Sequence, residues 1–310
     1  VSGPVTHEVT PTPIEALGVE DVAVGKALGR RGWLFAGWRR TLRDPMTAVA
    51  LVLLVGWVLV AIFAPLLAPH DPLEQSSDLY AGPSGAHLFG TDELGRDVLS
   101  RVIYGARLSL PLSATIVALA LGIGGVLGLV AGYFGGWIDE VLMRLTDLVF
   151  AFPQIILAMA VTAAFGPSSR NAVLALVVVS WPVYARVVRS AVLSIRGQDF
   201  LSSSRLLGVG SFEALRKDVV PNSVGPAVVL ASLELGNATL MLASLSYLGL
   251  GPRPPAPEWG AMIALGSNDL AAWWVSVFPG LAILTVVLAF NVLGDALRDR
   301  LDPQSWRRAR

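Results

Sequence analysis

Few side chains in this 310-residue chain have the type and spacing that covalent chemistry needs. There is no cysteine, which removes disulfides, thiolate metal sites and sulfur nucleophiles. Neither H-E-x-x-H nor G-x-S-x-G occurs, so a zinc-hydrolase helix and a serine nucleophile elbow are both missing. A G-x-x-x-x-G-K-[ST] phosphate loop is also absent, and the only lysines are Lys26 and Lys217. The chain therefore has no apparatus for ATP hydrolysis, and no catalytic residue is assigned. What remains is the chemistry of placed charge. Glu234 is the one carboxylate deep in an apolar segment, where an ionised group costs roughly 2.5–3.5 kcal/mol. Asn237, three residues on, shares its helix face. Such an acid lines a path for polar solutes or meets a partner; a purely structural ion pair is the competing reading. His7, His70 and His87 lie outside the apolar segments, so no intramembrane metal or proton relay is expected and no metal ligand is named.

The other concentration of charge is Ala185–Asn222, ARVVRSAVLSIRGQDFLSSSRLLGVGSFEALRKDVVPN. It is the only long polar, basic interval between apolar segments in the second half. A compact, Arg-rich hairpin between two spans suits contact with a soluble partner.

The elements that must position these groups belong to a membrane protein. Apolar residues make up 54% of the chain and charged ones 15%, against about 25% charged in soluble domains. Runs without charge mark the spans: Pro45–Pro69, Leu108–Ile138, Leu148–Ser169, Asn171–Ala185 extended past Arg186, Val219–Pro252 interrupted by Glu234, and Leu270–Gly294. A crossing helix needs about 20 apolar residues, so six spans are expected. Of the 23 Lys and Arg residues, 18 fall on one side of this topology, which places both termini and the 186–222 hairpin in the cytoplasm. Residues 1–37 read as a mobile tail without a signal-peptide pattern, ending in a basic apron with Trp33 and Phe35 that suits anionic lipid. Residues 38–68 hold the first span, 69–107 an extracytoplasmic segment, 108–300 the core with spans two to six, and 301–310 a cytoplasmic tail. Gly124, Gly128, Gly132 and Gly136 recur every four residues and allow close backbone approach, within the chain in the favoured reading and between subunits in the other.

Five stretches resemble one family, the C-type inner-membrane permeases of the dipeptide/oligopeptide/nickel ABC importers. They are WRRTLRDPMTAVALVLL (Trp38–Leu54), FGTDELGRDVLSRVIYGARLSL (Phe89–Leu110), GYFGGWIDEVLMRLTDLVFAFP (Gly132–Pro153), the hairpin ending in VVPN with Gly208 before it, and LASLSYLGLGPRPPAPEWGAMI (Leu242–Ile263). The resemblance implies an all-α type I importer permease in a prokaryotic inner membrane, paired with a second permease subunit. It also implies two ATP-binding subunits that carry ATP and Mg, an extracytoplasmic substrate-binding protein, and no cofactor or nucleic acid on this chain. A stand-alone secondary transporter or channel is the alternative, disfavoured because no internal repeat is seen and only Glu234 lies deep in a span.

In that family the hairpin is the coupling helix that seats in an ATPase groove. Here Asp199 can cap a helix from Phe200 to Leu207, Gly208 can end it, and Ser211 can start a second helix that Pro221 stops. Phe200, Leu201, Leu206 and Leu207 would be the knobs, flanked by Arg205 and Arg216. The glutamate-alanine-alanine that names the loop is replaced by Ser202, Ser203 and Ser204, which stay small but remove an acidic contact. Many members carry a further acid where this chain has Leu242. Arg144 and Asp147 are spaced to pair, Arg186 and Arg189 read as orientation anchors, and the proline-rich 252–260 segment reads as a rigid outer loop. Its Trp259 is expected to face the membrane or the binding protein.

Overall fold

The computed structural model describes residues 44–196, 213, 216 and 219–301. It falls into two units, Val1–Ala48 and Val49–Arg310. In the first, Asp44 accepts hydrogen bonds from the Thr47 amide at 3.0 Å and hydroxyl at 2.6 Å, an N-cap for the helix that starts at Pro45.

The described helices are α1 (Pro45–Ile62), α2 (Ala64–Leu67), α3 (Val98–Phe134), α4 (Gly136–Phe150), α5 (Gln154–Phe165), α6 (Ser169–Arg196), α7 (Val220–Tyr247), α8 (Trp259–Gly266) and α9 (Trp274–Leu301). No strand occurs among the described residues. Helices α1, α3, α6, α7 and α9 are each long and apolar enough to cross a membrane, and the bent pair α4–α5, taken as one span, brings the number to six. All-helical architecture is what a bilayer selects, because each backbone polar group must be satisfied within its own segment.

The expected third span, Leu148–Ser169, is not one helix. The chain turns by 89° between α4 and α5. Pro153 sits at the break, where it has no amide to continue the α4 ladder. Helix α4 is amphipathic and α5 is apolar, so the turn separates a surface element from a crossing one. The two ends of the pair show that it traverses. At the α4 end, Asp139 and Asp147 meet Arg189 and Arg186 in the second half of α6. At the far end of α5, the Arg253 Nε donates to Pro167 O at 2.7 Å, beside the loop that follows α7. Asn171 closes the turn, donating to Phe165 O and Gly166 O. Counting the pair as one span, segments 69–97 and 248–273 lie on one side, and the end of α6 at Arg196 and the start of α7 at Val220 on the other.

Helix α6 is longer than the charge-free run suggests, continuing through Arg186 and Arg189 to Arg196. Both arginines find acidic partners on α4, which the local window cannot reveal. Helix α3 likewise begins ten residues before Leu108, capped by Asp97, and stops at Gly135, whose φ of 68° ends it. Helices α3 and α6 pack along their length through the glycines. A Cβ on Gly124 would strike Trp181 O, one on Gly128 would strike Ala185 O, and one on Gly132 would sit 2.8 Å from the Val192 Cβ. The glycine seam is thus internal to the chain, and Gly136 stands outside it at the start of α4. Helix α7 packs on α3, α6 and α9, and α8 is wedged against α7 and α9. Pro221 was expected to stop a helix but stands in the first turn of α7, where its missing amide has no bond to lose.

Candidate functional site

Residues Phe200, Leu201, Ser202, Ser203, Ser204, Arg205, Leu206, Leu207 and Gly208 lie outside the described residues. The flanks of their segment are defined: Arg196 ends α6 and Val220 begins α7.

Near that side, α4 is clamped to α6. Arg189 donates to Asp139 through both Nε (2.5 Å) and Nη2 (2.6 Å), a bidentate pair in a partly buried setting. Arg186 pairs with Asp147 at 2.5 Å and stacks its guanidinium 4.3 Å above the Phe150 ring. The expected Arg144–Asp147 pair does not form. Arg144 instead meets Glu140 at 3.7 Å on an exposed face, a contact of little energetic weight. The two α6 arginines therefore anchor a surface helix to a span.

Midway along α7, Asn237 Nδ2 donates to Glu234 Oε2 at 3.1 Å, so the sequence-predicted pair does share a face. No basic side chain among the described residues pairs with Glu234, which leaves the structural ion pair without support. Asn237 is exposed, as are Leu240, Ser244 and Tyr247 farther along α7. Leu240, Ser244 and Tyr247 form one wall of a groove of about 390 Å³, closed by Gly260 and Ile263 of α8 and by Gly280 and Ile283 of α9. Leu242 is fully buried in the apolar core with Ala238 and Leu245, an environment in which a carboxylate would be unpaired.

On the opposite side a buried ionic cap starts α3. Asp92 accepts from Arg96 Nε at 2.7 Å and lies 3.4 Å from Arg101 Nε, with all three side chains at most 4% exposed. Its other oxygen takes the Leu94 and Arg96 amides, and Arg101 Nη1 reaches Pro72 O at 3.1 Å. The Trp274 indole donates to Thr91 O, tying this cap to the start of α9.

Trp259 is fully buried and faces neither lipid nor a partner. Its indole donates to Val102 O at 3.0 Å, over Gly105, where a Cβ would collide with the ring. The outer loop ends at Glu258, and α8 follows. Sequence reading missed Glu258, because glutamate is a poor N-cap and nothing local marks it as buried. Its carboxylate accepts from the Ala261 amide at 2.9 Å and lies 3.4 Å from Ser109 Oγ. Burial pushes this carboxyl above its ordinary value, against the Ala261 and Gly260 amides and the Ser246 and Ser109 hydroxyls, which favour the charged form. A raised folded-state pKa means stability present at low pH and lost as pH climbs from the ordinary 4.5 through the folded value. Thermal unfolding in detergent should therefore show wild type losing ground to Glu258→Gln as pH rises above the ordinary 4.5; a difference constant with pH would contradict this.

The likeness to known proteins extends over nearly the whole core. The family model described as binding-protein-dependent transport system inner membrane component matches residues 124–307. A second, the N-terminal TM domain of oligopeptide transport permease C, matches residues 35–83. A dipeptide transport system permease protein of Escherichia coli K12 is 46% identical over 275 residues, covering 86% of this chain and 92% of that protein. One from Alkalihalophilus pseudofirmus is 42% identical over 273 residues (86% and 90%), and a glutathione transport system permease protein of Pectobacterium atrosepticum is 43% identical over 271 residues (86% and 90%). Six crossings, a polar face on α7 and a family model spanning more than half the sequence agree: the chain belongs to the binding-protein-dependent transport system inner membrane components, the non-catalytic permease subunits of ABC importers.

Proposed function

We propose that this inner-membrane permease carries dipeptides or similarly short peptides into the cell, driven by ATP hydrolysed on separate subunits. The observation that carries the substrate class is the 46% identity, over 86% of the chain, to a protein named for dipeptide transport. The exposed Glu234–Asn237 pair on α7 supports it, since a peptide offers an ammonium group and amides to such a face. In this reading α7 and its groove, facing a second permease subunit, form the translocation path. The 197–218 segment and both termini face the cytoplasm, where two ATP-binding subunits dock through residues 199–221. The 69–97 and 248–273 segments face the substrate-binding protein. The excess of Lys and Arg on the 197–218 side supports this orientation.

The test is reconstitution with the partner subunits and a labelled dipeptide. Wild type should take up peptide only with ATP, whereas a Leu207→Asp/Gly208→Val variant should insert normally and hydrolyse ATP with uptake reduced at least about tenfold. Unchanged coupled uptake in the variant would remove the docking assignment, and ATP-driven import of a different solute class would remove the peptide one.

A further inference from the structure

We propose that His70, His87 and Asp97 form a binding site for a divalent transition metal of the zinc class, with three protein ligands and a fourth position open to solvent. The three come from separate places: His70 follows α2, His87 lies in the loop before α3, and Asp97 is the α3 N-cap. One donor atom from each lies within 4.8 Å of the others.

The carriers are held independently of the imidazole contacts. Ser84 N and Gly90 N both donate to His87 O, at 2.8 and 2.9 Å, and His87 N donates to Ser84 Oγ at 3.1 Å, so the His87 backbone is fixed on all sides. Ser100 does the same for the other two. Its amide and hydroxyl donate to Asp97 Oδ2 at 2.8 and 2.7 Å, while its hydroxyl oxygen accepts from the His70 amide at 3.1 Å. With Oδ2 occupied, Asp97 Oδ1 is left facing the two rings, 2.9 Å from His87 Nδ1 and 3.7 Å from His70 Nδ1. A tetrahedral zinc with ligands at about 2.1 Å sets its donor atoms about 3.4 Å apart, and the two observed separations bracket that value.

A hydrogen-bonded cap alone explains Asp97 and His87 but not His70. The His70 Nδ1 is buried and has no hydrogen-bond partner among the described residues, although it points at the same carboxylate oxygen. Burying an unpaired nitrogen is unfavourable, and coordination removes that cost. Asp97 is 1% exposed, and its only ion-pair partners among the described residues are the two imidazoles, so charge compensation at this carboxylate falls to them or to an ion they share. Two imidazoles and one carboxylate favour Zn²⁺, Ni²⁺, Co²⁺ or Cu²⁺ over Ca²⁺ or Mg²⁺. The partly exposed His70 ring, 38% accessible, leaves the open position on the solvent side. A bound ion would clip the end of the first crossing to the head of α3.

The full chain, free of any affinity tag and held in lipid nanodiscs, would be titrated with Zn²⁺ alone, with bound metal counted after desalting. Co²⁺ would then report geometry by its visible absorption. Wild type and His7→Ala should each retain one equivalent of Zn²⁺ with a tetrahedral Co²⁺ spectrum. His70→Ala and His87→Ala should each bind at least about tenfold more weakly, and both should lose the rise in thermal midpoint that Zn²⁺ gives wild type. These substitutions leave Asp97 and its capping bonds to Ser100 in place, so folding can be verified without metal. The absence of a stoichiometric ion in wild type, or its retention in the His70→Ala/His87→Ala double variant, would overturn the proposal.

Discussion

Asp92→Ala is expected to destabilise the chain by about 3–5 kcal/mol, the largest loss from any single charge. The carboxylate is the shared partner of Arg96 and Arg101, both nearly inaccessible to water, and truncating it strands two guanidinium groups in the interior. It also frees the Leu94 and Arg96 amides from the turn that leads into α3. The effect should appear as a lower unfolding midpoint of the purified protein and less folded material at equal expression. The cause can be isolated with a second substitution. Adding Arg96→Met to Asp92→Ala removes one stranded charge, so the double variant should be more stable than Asp92→Ala alone. If the two losses simply add, the ionic cap is not the source.

Gly128→Leu should be comparably damaging for a different reason. The α3 and α6 backbones meet at this residue, and a Cβ there would lie against Ala185 O, closer than real Cβ atoms come. The neighbour is backbone in the middle of a helix and cannot rotate away, so the helices must separate at a cost of about 3 kcal/mol or more. Gly122→Leu is the matched control, since nothing lies within 4 Å of a Cβ there. Its effect on the isolated chain should stay within about 0.5 kcal/mol. Comparing detergent-solubilised unfolding of the two variants checks the seam; equal losses would mean that close packing at Gly128 is not the source.

Much of this architecture is legible in the residues, and the exceptions share a cause. Charge-free runs locate the crossings because a bilayer penalises charge in a way that any window detects. They fail at α6, where Arg186 and Arg189 belong to the helix because acids on α4 neutralise them. The four-residue glycine period signals close approach, yet only the fold identifies α6 as the surface approached. Glu234 and Asn237 are readable as a pair because three residues of helix bring them together. Glu258 is not, because its side-chain contact to Ser109 spans 149 residues of sequence. His70 and His87 are equally silent, being 17 residues apart in irregular chain, with Asp97 at the head of α3 as their common partner. Local periodicity carries helices and faces; contacts between distant loops leave no local trace.

The length of α3 has a mechanical consequence. At 37 residues it is about 55 Å from end to end, bolted at its head by the Asp92 cap and seated along its tail on α6. Backbone seats on backbone at Gly128, and at Gly132 the stiff Val192 side chain fills the contact, so the two rods are held close and act as one strut. Helix α6 ends at Arg196 and α7 begins at Val220. The chain leaving that strut therefore returns as the helix that bears Glu234.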